Sequence, residues 1–532
     1  MTLKLIVGAV IIIACIISNK VSSKMGMPML LAFIVLGMIF GSDGIFKIPF
    51  ANFQFAEQIC SLALVFLIFY GGFGTNISRA KKVATKAILL SSIGVIATAL
   101  LTGLFCYYAL GFELLESMLI GSVLSSTDAA TVFSILRSQK LNLKDGTASL
   151  LEIESGSNDP WAYTLTIIIL SLMNTSGETG SILYLIFAQI FFGVIFGVII
   201  AAFAYWVLKT FTFEQAGFDA IFVLAVAILA YAIPTAFGGN GYLSAYIVGI
   251  VLGNKEIINK KALVNFFDGL TGLMQMLTFF LLGLLAFPSQ IPKIILPAIA
   301  IAIFLTIVAR PVAVFAILTP FKAKFAQQTL ISWGGLRGAT SIIFAIMATV
   351  GDNNTENDIF HIVFCVVLLS IGIQGSLLPW VSKKLKMIDD KENVLKTFND
   401  YSDETEIQFI RLPINENHSW IGKKIKNITL PPTTLIVMIQ REKQRIIPNG
   451  NTIIEENDIL IISAIGYYDD NSISLREIEI DNGHEWCNQK LSKLSIPNDN
   501  IVVLIKRRNK TIIPNGDIKV KADDTLVVTS SK

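Results

Sequence analysis

The stretch Glu154-Ser155-Gly156-Ser157-Asn158-Asp159-Pro160 puts two acids, an amide and a proline between Ala148-Ser149-Leu150-Leu151 and a run from Trp161 to Leu172 that is mostly apolar. Such residues in the middle of an apolar segment need a partner or a ligand, and the surrounding sequence decides which. The chain has 532 residues, 53% of them hydrophobic and only 15% charged, with a mean hydropathy of +0.66. These values exclude an ordinary soluble domain and fit a polytopic α-helical membrane protein.

Long apolar runs stop near residue 383, and the remaining sequence is rich in Lys, Glu, Asp and Asn. The expected organisation is a membrane domain over 1–383, a polar linker over 384–403 and a soluble tail divided at 404–468 and 469–532. A net charge of +3 and a pI near 8.4 carry little information about nucleic acid, because basic residues in this class mostly mark loop topology, and no nucleic-acid partner is expected. Cys15, Cys60, Cys106 and Cys365 lie in apolar segments and Cys487 in the tail. Their spacing suggests neither a disulfide nor a metal site and suits a reducing cytoplasm. Lys4 and the run Leu5 to Ser18 could open a signal peptide, but no small-x-small cleavage pattern comes after it, so this run is read as the first span.

About twenty mostly apolar residues cross a bilayer, fewer where neighbours shield them. By that rule the sequence predicts about 13 transmembrane helices, near 3–19, 27–41, 57–73, 84–110, 114–136, 148–173, 181–208, 218–237, 241–254, 263–287, 293–318, 327–350 and 358–382. Lys20 and Lys24, Arg79 to Lys86, Arg137 to Lys144, Lys209, Lys255 to Lys261, Lys322 and Lys324, and Lys383 to Lys386 fall in alternate loops. The positive-inside rule makes those loops cytoplasmic, with the N-terminus outside and the tail inside.

Counted at 1.5 Å per helical residue, Asp159 lies about 18 Å into span six, Arg337 about 15 Å into span twelve and Asp128 about 21 Å into span five. All three fall in the middle third of a core about 30 Å thick. An unpaired charge there costs about 3 kcal/mol or more. Glu154 and Asn158 share one helix face, as do Ser155 and Asp159. Pro160 lacks an amide hydrogen and leaves the carbonyl of Gly156 without its helical partner. Carboxylate, amide, hydroxyl and carbonyl oxygens thus gather at one depth, as ligands suited to a hard monovalent cation at Asp159.

Spans five and twelve carry small and polar residues at mid-depth, Ser125-Ser126-Thr127-Asp128-Ala129-Ala130 and Gly334-Gly335-Leu336-Arg337-Gly338. Broken helices of this kind line ion sites in transporters. If the fold contains two repeats of six spans, the odd offset of seven between the breaks requires the second to be inverted relative to the first. Plainer readings stand beside this one: Pro160 as a kink, Asn158 or Asp128 as helix–helix hydrogen bonds, and Arg337 as the structural counter-ion of Glu154. Arg310 and Asp268 are further membrane charges with no recognisable setting, read as support or pairing.

These residues resemble the bacterial cation:proton antiporters of the NhaP type, and within them the potassium/proton antiporters that carry a regulatory tail. The resemblance covers almost all of the membrane domain. It rests on Gly41-Ser42-Asp43-Gly44, Ser61 to Leu64 with Gly71-Gly72, Ser125 to Ala130, Glu154 to Pro160, Ser332 to Gly338 and Gln374-Gly375. It implies that Asp159 takes either the cation or the proton, that Glu154 and Arg337 hold the neighbouring amide of Asn158, and that Thr127, Asp128 and Ser155 complete the site. It also implies a homodimer in the bacterial cytoplasmic membrane. Tyr70 stands where many relatives have an acid, and Thr340-Ser341 stands where Val-Pro is expected; both bear on the choice between K+ and Na+.

The tail repeats itself without gaps at an offset of 66 residues: His418-Ser-Trp420 matches His484-Glu-Trp486, Ile446 to Gly450 matches Ile512 to Gly516, and Asp458 matches Asp524. Two copies of one small α+β domain are expected, each with a helix-like stretch (Lys423 to Ile428 in the first), a strand at Leu435 to Ile439, a Pro-Asn-Gly turn and a last strand from Ile459. Both copies resemble the C-terminal, ligand-binding half of potassium-conductance regulators. No Gly-x-Gly-x-x-Gly follows a strand in the tail, so NAD is not expected. The resemblance allows a regulatory nucleotide such as cyclic di-adenosine monophosphate, with no contact residue placed; the repeated His and Trp are read as packing.

The sequence therefore points to a secondary antiporter that is not an enzyme, exchanging K+ or Na+ for H+ one for one and without net charge, under control of a tail ligand. A ligand-gated potassium channel is the rival from another class, but no Thr-Val-Gly-Tyr-Gly filter is present. A proton-coupled carrier of an organic solute would call for a larger apolar pocket.

Overall fold

The computed structural model describes residues 2–389 and 407–530, apart from 26–27, 76, 78–80, 82, 140, 175–178, 212, 214, 216, 258–259, 352–354, 417, 433, 443, 466–473, 482, 495–500, 508–509 and 513. The chain divides into two compact units, Met1–Tyr401 and Ser402–Lys532. From residue 390 onward the expected linker lies outside the described residues.

The first unit is helical: α1 (Thr2–Met25), α2 (Met29–Phe40), α3 (Phe53–Gly74), α4 (Ala84–Leu110), α5 (Leu114–Val123), α6 (Ala129–Ser138), α7 (Thr147–Asn174), α8 (Thr179–Thr210), α9 (Phe218–Ala236), α10 (Gly241–Gly253), α11 (Lys260–Leu285), α12 (Pro288–Leu318), α13 (Phe325–Trp333), α14 (Ala339–Val350) and α15 (Ile359–Lys384). Each of the thirteen apolar segments falls on helix. The fifth is divided into α5 and α6 and the twelfth into α13 and α14, at the two polar stretches. By length and composition, seven of the described helices can cross a bilayer, and α2, α5, α10 and α14 are shorter apolar helices.

Small residues let these helices approach closely, as association within a bilayer requires. On α10, a Cβ at Gly249 or Gly253 would collide with the carbonyl oxygens of Phe69 and Phe73 on α3. Single π-helical turns interrupt α4 at Leu90–Gly94, α12 at Leu305–Ala309 and α15 at Ser370–Gly375. Such turns recur at functional sites because they re-aim side chains. At the start of α15, His361 Nε2 accepts the backbone N–H of Phe287 at 3.0 Å, so its ring proton sits on Nδ1, 2.6 Å from Asp358.

Past α15, Lys386 takes a left-handed conformation (φ 56°) and the chain reverses. Leu143 and Ile388 form an antiparallel bridge, with Lys144 N–H on Met387 O at 2.9 Å and Asp389 N–H on Asn142 O at 3.0 Å. The beginning of the expected linker is thus fixed to the connector that leads into α7.

The second unit contains two four-stranded antiparallel sheets: β1 (Ile407–Pro413), β2 (Leu435–Arg441), β3 (Gln444–Ile446) and β4 (Ile459–Ile465), then β5 (Ser474–Ile480), β6 (Val502–Arg507), β7 (Lys510–Ile512) and β8 (Asp524–Ser530). Strand order is β1-β4-β2-β3 in the first and β5-β8-β6-β7 in the second. The bulge of β2 at Ile436/Met438 reappears in β6 at Val502/Leu504, so the sequence repeat is a repeat of backbone geometry. The expected α+β character is corrected. Among the described residues the tail holds strands and two 3₁₀ turns, Ile425–Asn427 and Leu491–Lys493, because the helix-like stretch is too short to sustain an α-helix.

Each copy also has one buried ion pair. Arg441 Nε donates to Asp458 Oδ1 at 2.8 Å, and Arg507 Nε to Asp524 Oδ1 at 2.6 Å; both acids are almost fully buried. Burial pushes the Asp458 carboxyl up, but the Arg441 hydrogen bond, the Glu455 amide and the arginine charge together hold it below its ordinary value. The same opposition lowers Asp524 through Arg507 and the Lys521 amide.

A depressed folded-state pKa adds stability that is fully present above the unfolded value, about 3.9 for Asp, and is lost as pH falls through the lower folded value. Thermal unfolding of the full chain, followed by strand-sensitive circular dichroism from pH 7 to pH 2, should therefore show the tail's midpoint fall below about pH 4. In Asp458→Asn/Asp524→Asn that acid-dependent fall should be smaller. An equal fall in the variant counts against the pairs as its source.

Candidate ion-binding site

The breaks in spans five and twelve lie side by side. Asp128 N–H donates to Leu336 O at 2.8 Å, joining the extended segments between α5 and α6 and between α13 and α14. Arg337 Nη1 donates to the carbonyls of Ser125 and Ser126 at 2.8 and 2.7 Å, just beyond the C-terminal end of α5. A guanidinium there meets carbonyls that have no helical partner and faces the negative end of the helix dipole. Glycines make room for this crossing: a Cβ at Gly338 would collide with the Asp128 carboxylate, and one at Gly335 would meet Arg310 Nε at 2.6 Å. At the next layer, Arg337 N–H donates to Ser370 Oγ at 3.0 Å in the π turn of α15. Trp333 and Gln374 exchange hydrogen bonds, Nε1 to O at 3.0 Å and Nε2 to O at 2.5 Å.

α7 passes this crossing with its Glu154 to Pro160 stretch. Ser155 Oγ donates to Thr127 O at 2.6 Å, and Asn158 Nδ2 donates to Thr127 Oγ1 at 2.5 Å. Asp159 accepts a short hydrogen bond from Ser126 Oγ on one oxygen, and a long one from Thr340 Oγ1, at 3.4 Å, on the other. Asp128 caps α6, accepting from Thr131 N at 3.2 Å and Thr131 Oγ1 at 2.6 Å. Thr127, Asp128, Ser155, Asp159 and Thr340 all line one cavity of about 490 Å³, whose other lining residues include Glu152 on α7, Met29 and Leu30 on α2, and Tyr70 on α3. Of the five expected ion ligands, four reach this cavity. Asn158 is fully buried and holds Thr127 from behind.

The expected pairing of Glu154 with Arg337 is corrected. Glu154 forms an ion pair with Arg310, both fully buried, while Arg337 is taken up by the carbonyls that follow α5. The cause is backbone geometry: Arg337 stands in the extended break, where two carbonyls need donors, and Arg310 directly follows the π turn of α12. Asn158 Oδ1, Glu154 Oε2 and Arg337 Nη2 are buried with no hydrogen-bond partner among the described residues. They leave unused bonding capacity around the amide.

Sequence reading missed three further contributors. Ser126 stood inside the marked Ser125-Ser126-Thr127-Asp128 stretch, yet nothing local showed that it would reach across to Asp159. Thr340 was noted only as a departure, and its hydroxyl faces Asp159. Asn240 caps α10, accepting from Leu243 N at 2.9 Å, and donates to Pro160 O at 2.8 Å, holding α7 at its proline. The signal for Asn240 was an Asn-Gly at the start of an apolar run, a usual N-cap.

Residues 9–384 match the family described as sodium/hydrogen exchanger, transmembrane, and residues 409–465 and 475–532 each match the TrkA-C domain. The chain is 33% identical to the K+/H+ antiporter NhaP of Alkalimonas amylolytica, over 86% of this chain and 80% of that protein. It is 32% identical, with the same coverage, to the K+/H+ antiporter NhaP2 of Shewanella sp. (strain MR-4). Its fold is similar to that of the sodium proton antiporter MjNhaP1 from Methanocaldococcus jannaschii, with a TM-score of 0.64 at 23% identity, over 72% of this chain and 99% of that one.

Removing one partner of a buried ion pair strands the other charge, at a cost of about 3–5 kcal/mol. Arg310→Met should therefore lower the thermal midpoint of the purified protein sharply, and Arg310→Met/Glu154→Gln should recover most of the loss. A double variant as unstable as the single one would show that the pair is not the interaction lost.

Proposed function

The chain belongs to the sodium/hydrogen exchanger family and is a cation/proton antiporter of the NhaP type, and we propose that it exchanges K+, and less readily Na+, for H+ at the single carboxylate Asp159. The observation that carries this reading is Asp159 at the wall of a cavity of mixed polar and apolar lining, where two helix breaks meet and, among the described residues, hydroxyls hold the carboxylate. Hydroxyl and carboxylate oxygens are the ligands a hard monovalent cation takes, and a proton on the same carboxylate removes its charge and its best donor atom. Cation and proton therefore exclude each other. One positive charge moves each way, so the cycle is electroneutral.

Potassium is favoured because the NhaP and NhaP2 relatives at 33% and 32% identity are named K+/H+ antiporters. In this reading Thr127, Asp128 and Ser155 complete the cation's shell, while Asn158 with Glu154, Arg310 and Arg337 keeps the crossing rigid. The bundle that carries the two breaks, built as inverted repeats, rocks to open the site alternately to either side. The protein sits in the bacterial cytoplasmic membrane as a homodimer, N-terminus outside, with its tail in the cytoplasm. There the tail binds a regulatory ligand such as cyclic di-adenosine monophosphate.

The test is proton movement in proteoliposomes with a trapped pH dye, driven in turn by KCl, NaCl and choline chloride, with the membrane potential clamped. Wild type should move protons with KCl most strongly, with NaCl less and with choline not at all, and Asp159→Asn should fall to the choline baseline. Potassium flux that builds a potential and survives Asp159→Asn would overturn the exchange and favour a channel.

A further inference from the structure

The cavity has a second wall. Asp268, Thr271, Gly272 and Gln275 of α11 all line it, at spacings of three and four residues that place them on one face of the helix. Most of α11 is apolar, and Asp268 lies about 12 Å in from its Lys260 end. An acid facing hydrocarbon at such a depth would cost about 3 kcal/mol, so this polar stripe belongs to the wet side of the helix. Asp268 is exposed and accepts a short hydrogen bond from Tyr70 Oη of α3. The phenol is fixed in turn by its ring, which stacks on Phe267 with centroids 6.1 Å apart and planes 14° apart. Among the described residues no basic side chain forms an ion pair with Asp268, and the cavity lining holds four acids and no Lys, Arg or His.

Tyr70 stands on α3, which packs against α11. The structure puts the negative charge on the neighbouring helix and uses the tyrosine to orient it. One carboxylate oxygen takes the phenol hydrogen bond, and a carboxylate has two oxygens with which to accept donors or a cation. We infer that Asp268, oriented by Tyr70, is the outer carboxylate of the cation's path and sets the affinity and preference with which a monovalent cation is gathered before it reaches Asp159. This role rests on cation/proton exchange at Asp159 and gives that site a second, scaffold-borne residue. Acids along a low-dielectric cavity raise the local concentration of cations. Thr271 and Gln275 then offer oxygens further along the same face.

Asp268 would act on the capture of the cation rather than on the competition at Asp159, so its loss should shift half-saturation more than maximal rate. In proteoliposomes carrying the full-length protein, the K+ concentration for half-maximal proton exchange should rise about tenfold in Asp268→Asn, with the maximal rate within about twofold of wild type. Asp268→Glu should restore most of the affinity. Tyr70→Phe should move half-saturation in the same direction by a smaller factor, and the ratio of the K+ to the Na+ half-saturation should change in both Asp268→Asn and Tyr70→Phe. An unchanged half-saturation in Asp268→Asn would overturn the inference, as would complete loss of exchange at every K+ concentration, which would place Asp268 in the exchange step itself. A wild type inert to K+ and Na+ would instead strike the exchange at Asp159.

Discussion

A carboxylate in the middle of a bilayer must have a partner, and the rest of this structure depends on how each buried charge is given one. Glu154 has Arg310, Arg337 has the carbonyls of Ser125 and Ser126, and Asp128 has the amide and hydroxyl of Thr131 at the start of its own helix. Asp159 is treated differently. Two hydroxyls approach it, from Ser126 and Thr340, and among the described residues no basic side chain pairs with it. Neutral donors leave a negative charge there uncompensated, which is why the proposed exchange is placed at this carboxylate.

That arrangement requires the two broken spans. A continuous helix would bury its carbonyls in its own hydrogen bonds and offer Arg337 nothing to hold. Breaking span five exposes the carbonyls of Ser125 and Ser126; breaking span twelve supplies the guanidinium that answers them and the glycines that let the chains cross. The crossing then brings Ser126, Thr127 and Thr340 to α7, which is held at its proline by Asn240. Fixed charges surround Asp159, which lines the cavity.

Much of this was legible in the sequence, and the reasons are local. Apolar runs fall on helices of the first unit, small and polar residues at mid-depth located both breaks, and the 66-residue offset in the tail corresponds to strand registers that match down to the bulge in β2 and β6. Partner choice was not legible. Arg310 and Arg337 are both buried arginines near Glu154, and only the π turn of α12 and the extended backbone at Arg337 decide which one pairs with it. Tyr70 and Asp268 are 198 residues apart, and no pattern in either helix announces the bond between them. Among the described residues of the tail, the six-residue stretch that reads as helix makes only a single 3₁₀ turn.

The central claim is that one carboxylate serves both ions, and the most direct measurement of it is the pH dependence of cation half-saturation. In proteoliposomes with equal pH on both sides, the K+ concentration for half-maximal exchange should rise by up to about tenfold for each unit of pH below the pKa of the site, with the maximal rate preserved, because a proton must leave before K+ binds. A half-saturation that stays constant with pH while the maximal rate falls would mean that proton and cation occupy different groups, and would contradict the account.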